Sequence, residues 1–323
     1  MIEAFLFPTT AGSERLPSKE KVAYLSDTHT DRRGLVVLLC LLATLAVPVA
    51  QAAEDALTMG VFPRRNSTET SRLFTPMAKY LGARLGRKVN LATAKNFEAF
   101  SKAVKERRYD IVHYNQYHYI QSSHAYDVVA HIEEFNTSTS VAVIYVNKES
   151  DITTLAQLRG RTIIFGGGED AMVSYIANLH QLIQAGVKKG DFKALFAVNP
   201  PNAILALSHR QAAAAGVGAG VLELLAAKQP VDPKGFRALA TSEPLLQLPF
   251  AVRRDMPAEL QASIQKVLVG LKDSEAGKRV LEAASLTGMG KAEDKDYEPQ
   301  RRMVARVLGS EPKRDRQSKQ APD

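Results

Sequence analysis

Apolar and polar positions along the chain fall into alternating short runs and helical stripes. "LTMGVF" (57–62) is an apolar run of strand length, and the stretch after it repeats apolar residues every four positions, at Leu73, Met77, Leu81 and Leu85. That spacing is the buried stripe of an amphipathic helix. "KVNLATA" predicts a second strand, "FEAFSKAVKERR" a second helix and "YDIVHY" a third strand, with "DVVAHIEE" and "SVAVIYVNK" as further strands. The rhythm then restarts. "TTLAQLRG" leads into the strand "RTIIF", the turn "GGGED", the helix "AMVSYIANLHQLIQAG", the strand "FKALFAV" and the helix "NAILALSHRQ". The strand "LPFAVRRD" and two amphipathic helices, over 257–272 and 275–285, complete the pattern. Strands separated by helical stretches of about 10–15 residues predict parallel sheets with covered faces. Two such runs, joined by strands and no linker, predict an α/β protein of two lobes.

Composition changes little in this picture. The 323 residues suffice for two domains of ordinary size, and 45% hydrophobic with 24% charged residues is a globular composition, neither disordered nor fibrous. The net charge of +8 is scattered, with no basic stripe interleaved with aromatics, so nucleic acid is not an expected partner. The C-terminal "EPKRDRQSKQAPD" (311–323) reads as a disordered tail.

The N-terminal region reads as an export signal. Residues 32–52 carry a basic lead (Arg32, Arg33), an apolar run, and small residues before a cleavage site at Ala50-Gln51-Ala52, too short for a stable membrane span. The paired arginines leave general secretion and twin-arginine export both open. Residues 1–31 read as an upstream extension. The single cysteine, Cys40, lies within the apolar run, so cleavage after Ala52 leaves a mature chain without disulfide, thiolate metal site or cysteine nucleophile. The expected location is the periplasm.

Two stretches carry candidate chemistry. "DIVHYNQYHYI" (110–120) packs two histidines and three tyrosines into one strand and turn. Tyr114, Asn115 and Tyr119 could offer hydroxyl and amide donors to a ligand, or the tyrosines could be core residues whose hydroxyls find one partner. His113 and His118, with the tyrosines and Glu169 or Asp170, suggest a metal shell. Their five-residue separation across a strand-to-helix change does not put both on one face, and no metal is expected. "GGGED" (166–170) fits neither a P-loop nor a dinucleotide fingerprint. Its glycines let backbone approach a ligand, and Asp170 either caps the next helix or, with Glu169, faces the ligand. Like charges ~4 Å apart at an effective dielectric of about 20 cost roughly 4 kcal/mol, so carboxylates facing the ligand would favour a cation or neutral solute over a doubly charged oxyanion. Arg64, Arg65, Asn66 and Ser67, after the first strand, read equally as anion donors or as a solvated loop. No nucleophile elbow, paired-carboxylate motif or HExxH is present, so neither catalysis nor a cofactor is expected.

The order of "MGVFP", "MAKYLGARLGRKV", "YDIVHYNQYHYI", "VAVIYVNKESDITTLAQLRGRTIIF" and "SEPLLQLPFAVRRDMPAEL" resembles the phosphate/phosphite/phosphonate substrate-binding proteins of ABC transporters, over about residues 57–290. The resemblance implies a two-lobed type II periplasmic binding protein fold with a hinge and an interlobe ligand cleft. One lobe would comprise 57–138 plus 249–310, the other 139–248. It places Tyr119 at the family's cleft tyrosine, with Asn115-Gln116 where Gly-Pro is usual. It places "GGGEDAMVS" at a Ser/Thr-rich oxyanion turn, with Glu169 and Asp170 where hydroxyls are expected, and Asn199 or Asn202 at a third landmark. A later acidic position, used by aminophosphonate binders, falls in "RQAAAAGVG" as alanine. The implied ligand contacts are Tyr114, Asn115, Tyr119, Gly168, Glu169, Asp170, Asn66 and Asn202. The implied function is binding of a small solute, by family a phosphorus oxyanion, without chemical change. The partner would be a transporter permease, with the protein a monomer peripheral to the inner membrane. The alternatives are a ligand sensor partnering a histidine kinase, or a cleft repurposed for a metal or zwitterion.

Overall fold

The structure is a computed structural model that describes residues 56–63, 67–227, 229 and 231–309. The expected extension over 1–31, the signal peptide over 32–52, Arg64, Arg65, Asn66 and the tail over 311–323 lie outside the described residues.

From Leu57 the chain runs β1 (Leu57–Val61), α1 (Ser67–Leu85), β2 (Val89–Ala92), α2 (Phe97–Lys105), β3 (Ile111–His113), α3 (Gln116–Ser122) and β4 (Tyr126–Glu133). The four-residue stripe on α1 does what its spacing predicts, burying Leu73, Met77 and Leu81. Asn96 caps α2 by accepting from the Ala99 N–H at 2.9 Å. A short strand β5 (Thr139–Ser140) then carries the chain into the second lobe: β6 (Ala142–Asn147), β7 (Thr162–Gly166), α4 (Ala177–Gln184), β8 (Lys193–Ala197), α5 (Pro200–Ser208), β9 (Ala214–Gly218), α6 (Val221–Ala226) and β10 (Phe236–Thr241). It returns through β11 (Leu245–Leu246) to β12 (Pro249–Arg253), α7 (Ala258–Val269), α8 (Glu275–Ala283), β13 (Gly288–Lys291) and α9 (Glu298–Leu308).

The strands form a six-stranded sheet in the order β13-β4-β12-β3-β1-β2 and a five-stranded sheet in the order β10-β6-β9-β7-β8. Neither is purely parallel, which corrects the expectation from strand–helix alternation. β1 pairs parallel with β2 and β3, and β7 with β8 and β9. The strands next to the crossovers run the other way: β12 is antiparallel to β3 and β4, and β6 to β9 and β10. β12 enters its sheet from the other lobe, not over a helical crossover, so the rule that makes βαβ units parallel does not apply to it. The two crossings pair with each other as a small antiparallel ribbon, β5 with β11.

Each sheet has its own core. The first includes the fully buried Met59, Met77, Leu81, Phe100, Ile111 and Phe250; the second includes Ile144, Ile163, Phe165, Tyr175 and Leu179. Each such side chain contributes about 1.5–3 kcal/mol by leaving water. β9 escaped the sequence pattern because "AAGVG" has weak strand propensity. Its small residues are a packing requirement, since a Cβ on Gly216 would lie 2.5 Å from the Phe165 ring. Two elements join the cores. α3 places Tyr119 in the first and Ile120 in the second, and Met303 and Val304 of α9 pack into the second although α9 follows the return to the first sheet. The expected lobe division assigned all of 249–310 to the first lobe.

Candidate functional site at the seam between the lobes

α3 begins where β3 ends, so its first turn stands at the carboxyl edge of the first sheet. Asn115 is its N-cap, accepting from the His118 N–H at 2.9 Å. The same Oδ1 lies 2.8 Å from His118 Nδ1. The amide nitrogen reaches across the seam and donates to the Asp170 carbonyl at 3.0 Å. His118 is buried, stacks face to face on Phe97 with ring centroids 6.0 Å apart, and turns Nε2 to within 3.4 Å of Asp170 Oδ2. One cap and one imidazole therefore join the first lobe to the turn after β7.

On the opposite side the glycines of that turn answer two geometric needs. A Cβ on Gly166 would sit 2.4 Å from Pro200 Cα, and Gly167 adopts φ 109°, in a region that side chains disfavour. A π-helical turn, Met172–Ile176, follows and leads into α4. Wide π turns displace carbonyls from their usual partners, and such turns recur at functional sites. Here Asn178, fully buried, donates to the carbonyls of Val173, Ser174 and Val217 at 3.1, 3.0 and 3.3 Å. The helix cap is Ala171, and no side chain caps the first turn. Asp170 is thus not spent on the helix. The hydrogen bond from His118 holds its carboxyl below the ordinary range, against the opposing effect of burial.

The remaining expected residues stand elsewhere. Tyr114 is fully buried; Ser122 Oγ donates to the His118 carbonyl, which leaves the Tyr114 hydroxyl to donate to Ser122 at 3.0 Å. Tyr119 donates to Asp294 Oδ1 at 2.7 Å, and Arg301 grips the same oxygen. Burial raises both phenols far above their ordinary value. Glu169 is engaged by Lys189 of its own lobe at 3.0 Å. Asn202 is exposed in the first turn of α5, its N–H donating to Asn199, which caps that helix. Gly168 accepts from the Ala171 N–H at 3.0 Å within the turn. His113 lies in the first core, stacked 4.4 Å from Phe250, far in role from His118.

The sequence of residues 59–297 matches the family described as ABC transporter, phosphonate, periplasmic substrate-binding protein. The chain belongs to this family. Its members are substrate-binding transport proteins of the periplasm, taking a small-molecule ligand and serving an ABC transporter. Solved structures agree in fold. A binding component of an ABC phosphonate transporter from Pseudomonas aeruginosa superposes with TM-score 0.64 at 16% identity, covering 78% of this chain and 86% of that one. A Prochlorococcus marinus protein in complex with methylphosphonate gives TM-score 0.66 at 18% identity, covering 78% and 98%. A Xanthomonas citri protein bound to ATP gives TM-score 0.68 at 15% identity, covering 79% and 97%. The fold is the two-lobed type II periplasmic binding fold, with the Asn115–Asp170 seam between its lobes. Among the described residues no helix is long and apolar enough to cross a membrane.

Of the residues singled out in the sequence, the seam brings together Asn115 and Asp170, with Gly168 in the same turn. Asn178 was not foreseen as a site residue, and His118 was weighed only as a metal ligand alongside Glu169 or Asp170. The signal for His118 was its position three residues after an N-cap asparagine, at the start of the helix facing the acidic turn.

Proposed function

We propose that the mature protein binds a phosphorus oxyanion between its lobes and presents the closed complex to a transporter permease, without chemical change. The observation that carries this reading is the uncapped first turn of the helix from Met172, at the seam beside the donors Asn115 and His118. Free first-turn N–H groups and the helix dipole make such a turn an anion site, and the glycine turn before it lets ligand approach the backbone. The membership of the chain in a phosphonate-binding family supports the same ligand class. Residues 32–52 serve as the export signal, and the exported protein is a monomer that meets the inner membrane only through its permease.

Calorimetric titration of protein purified from the periplasm tests this. Methylphosphonate, phosphite or phosphate binds one per chain with a dissociation constant in the micromolar range or tighter, while sulfate binds at least about tenfold more weakly. Equal binding of all four anions, or of none, contradicts the reading.

A further inference from the structure

Asp170 poses a problem for an anion-binding cleft, because a carboxylate with a side chain 33% exposed stands on the turn where the negative ligand would sit. The hydrogen bonds around His118 supply an answer. The Asn115 amide is oriented twice over: its oxygen accepts from the His118 N–H, and its nitrogen donates to the Asp170 carbonyl. That oxygen, 2.8 Å from His118 Nδ1, can only accept, so Nδ1 carries a proton. Nε2 then faces Asp170 Oδ2 at 3.4 Å. A neutral imidazole would present a lone pair to the carboxylate; the imidazolium donates to Asn115 and stands as a counter-charge to Asp170. Among the described residues, the other rings packed on the imidazole are uncharged aromatics. Phe97 stacks on one face, Tyr117 meets it edge-on, and burial followed by the nearby Asp170 raises the Tyr117 phenol. Glu169, the neighbouring acid, is held by Lys189.

We propose that protonated His118 is the specificity-determining counter-charge of the cleft: it neutralises Asp170 across the seam, and so lets an acidic turn accept a phosphorus oxyanion. The proposal rests on the ligand reading above. It makes anion binding proton-linked, because loss of the His118 proton leaves Asp170 uncompensated and lowers affinity for the anion. It also makes Asp170 harmful to anion binding only while His118 is absent or discharged.

The test is methylphosphonate affinity, by calorimetry, for the wild type, His118→Gln, Asp170→Asn and the double variant at pH 6 and pH 8. Variant-to-wild-type ratios at fixed pH cancel the ligand's own ionisation. His118→Gln weakens binding about tenfold at pH 6 and much less at pH 8, the size expected of a close charge pair. Asp170→Asn tightens binding at pH 8 about fivefold more than at pH 6. The double variant returns to within about threefold of wild type at pH 6, since compensation is no longer needed. If His118→Gln does not fold, His118→Asn takes its place. Simple addition of the two single effects in the double variant, or ratios identical at both pH values, overturns the proposal and leaves the ligand reading intact. A wild type that binds no methylphosphonate, phosphate or phosphite at either pH overturns the ligand reading, and the proposal with it.

Discussion

The two jaws of the cleft are built on opposite plans. The first-lobe jaw, residues 113–122, is rich in aromatic and polar groups, yet nearly all of them are satisfied inside the protein: Tyr114 on Ser122, Tyr119 on Asp294, His113 among Phe62, Phe74 and Phe250. The second-lobe jaw, residues 166–176, is a glycine turn with two carboxylates leading into a π turn, with no side chain capping its helix. The chemically conspicuous segment is therefore mainly a rigid wall, and the plain one leaves backbone donors and a carboxylate available. Asn115 and His118 reach from the first to Asp170 of the second by polar contacts. Richness in functional groups is a poor guide to a site unless one knows how many of those groups are already paired.

Substitutions can break or sharpen this contrast. The largest effect belongs to the wall: Tyr119→Ala, at a fully buried position, removes a ring packed against Tyr114 and Tyr297 and costs about 3–5 kcal/mol in denaturant unfolding. If it left stability intact and abolished ligand binding, the wall would be a binding surface and the contrast would fail. Next comes Asn178→Ala, which strands carbonyls of the π turn and costs about 2–3 kcal/mol. Unlike the wall variants, it also weakens ligand affinity measured on the folded fraction, because the first-turn N–H groups lose their support. Tyr119→Phe removes only a hydrogen bond to a carboxylate that Arg301 still holds, and lowers stability by about 1–2 kcal/mol with affinity unchanged.

Asp170 contributes less to stability, under about 1 kcal/mol, because its side chain is 33% exposed and solvent screens the pair. Its folded carboxyl is depressed relative to the unfolded chain. The contribution is therefore complete above the ordinary carboxylate range and disappears as pH falls through the depressed value. The melting-temperature difference between wild type and Asp170→Asn should be steady from pH 6 to about pH 5 and shrink below that. Growth of the difference in acid would reverse the sign and refute the pairing. The smallest effect is that of Glu169→Gln, within about 0.5 kcal/mol and without change in affinity, since Glu169 and Lys189 are both more than half exposed.

Much of the scaffold was legible from periodicity. The stripe on α1 and the runs that became β1, β3, β4, β7 and β12 owe their pattern to burial on one or both faces. Strand direction was not legible, because whether β12 lies parallel or antiparallel to β3 depends on the path by which it returns from the other lobe. β9 was hidden for a related reason: its alanines and glycines record the closeness of Phe165, a neighbour distant in sequence. At the site, adjacency misled. Glu169 and Asp170 look equivalent in the chain, but one meets Lys189 and the other His118. The π turn and the role of Asn178 left no mark in the helical stripe, which continues from Met172 to Leu182 as though the helix were regular.

The central claim is that ligand lies against the first turn of the second-lobe helix, opposite Asn115 and His118. A crystal structure with methylphosphonate measures this directly. The account predicts the phosphonate oxygens within hydrogen-bond distance of backbone N–H groups among residues 172–174, with the Asn115 amide or the His118 ring beside them. Phosphonate bound elsewhere, for example among the groups around Tyr119 and Arg301, would contradict it.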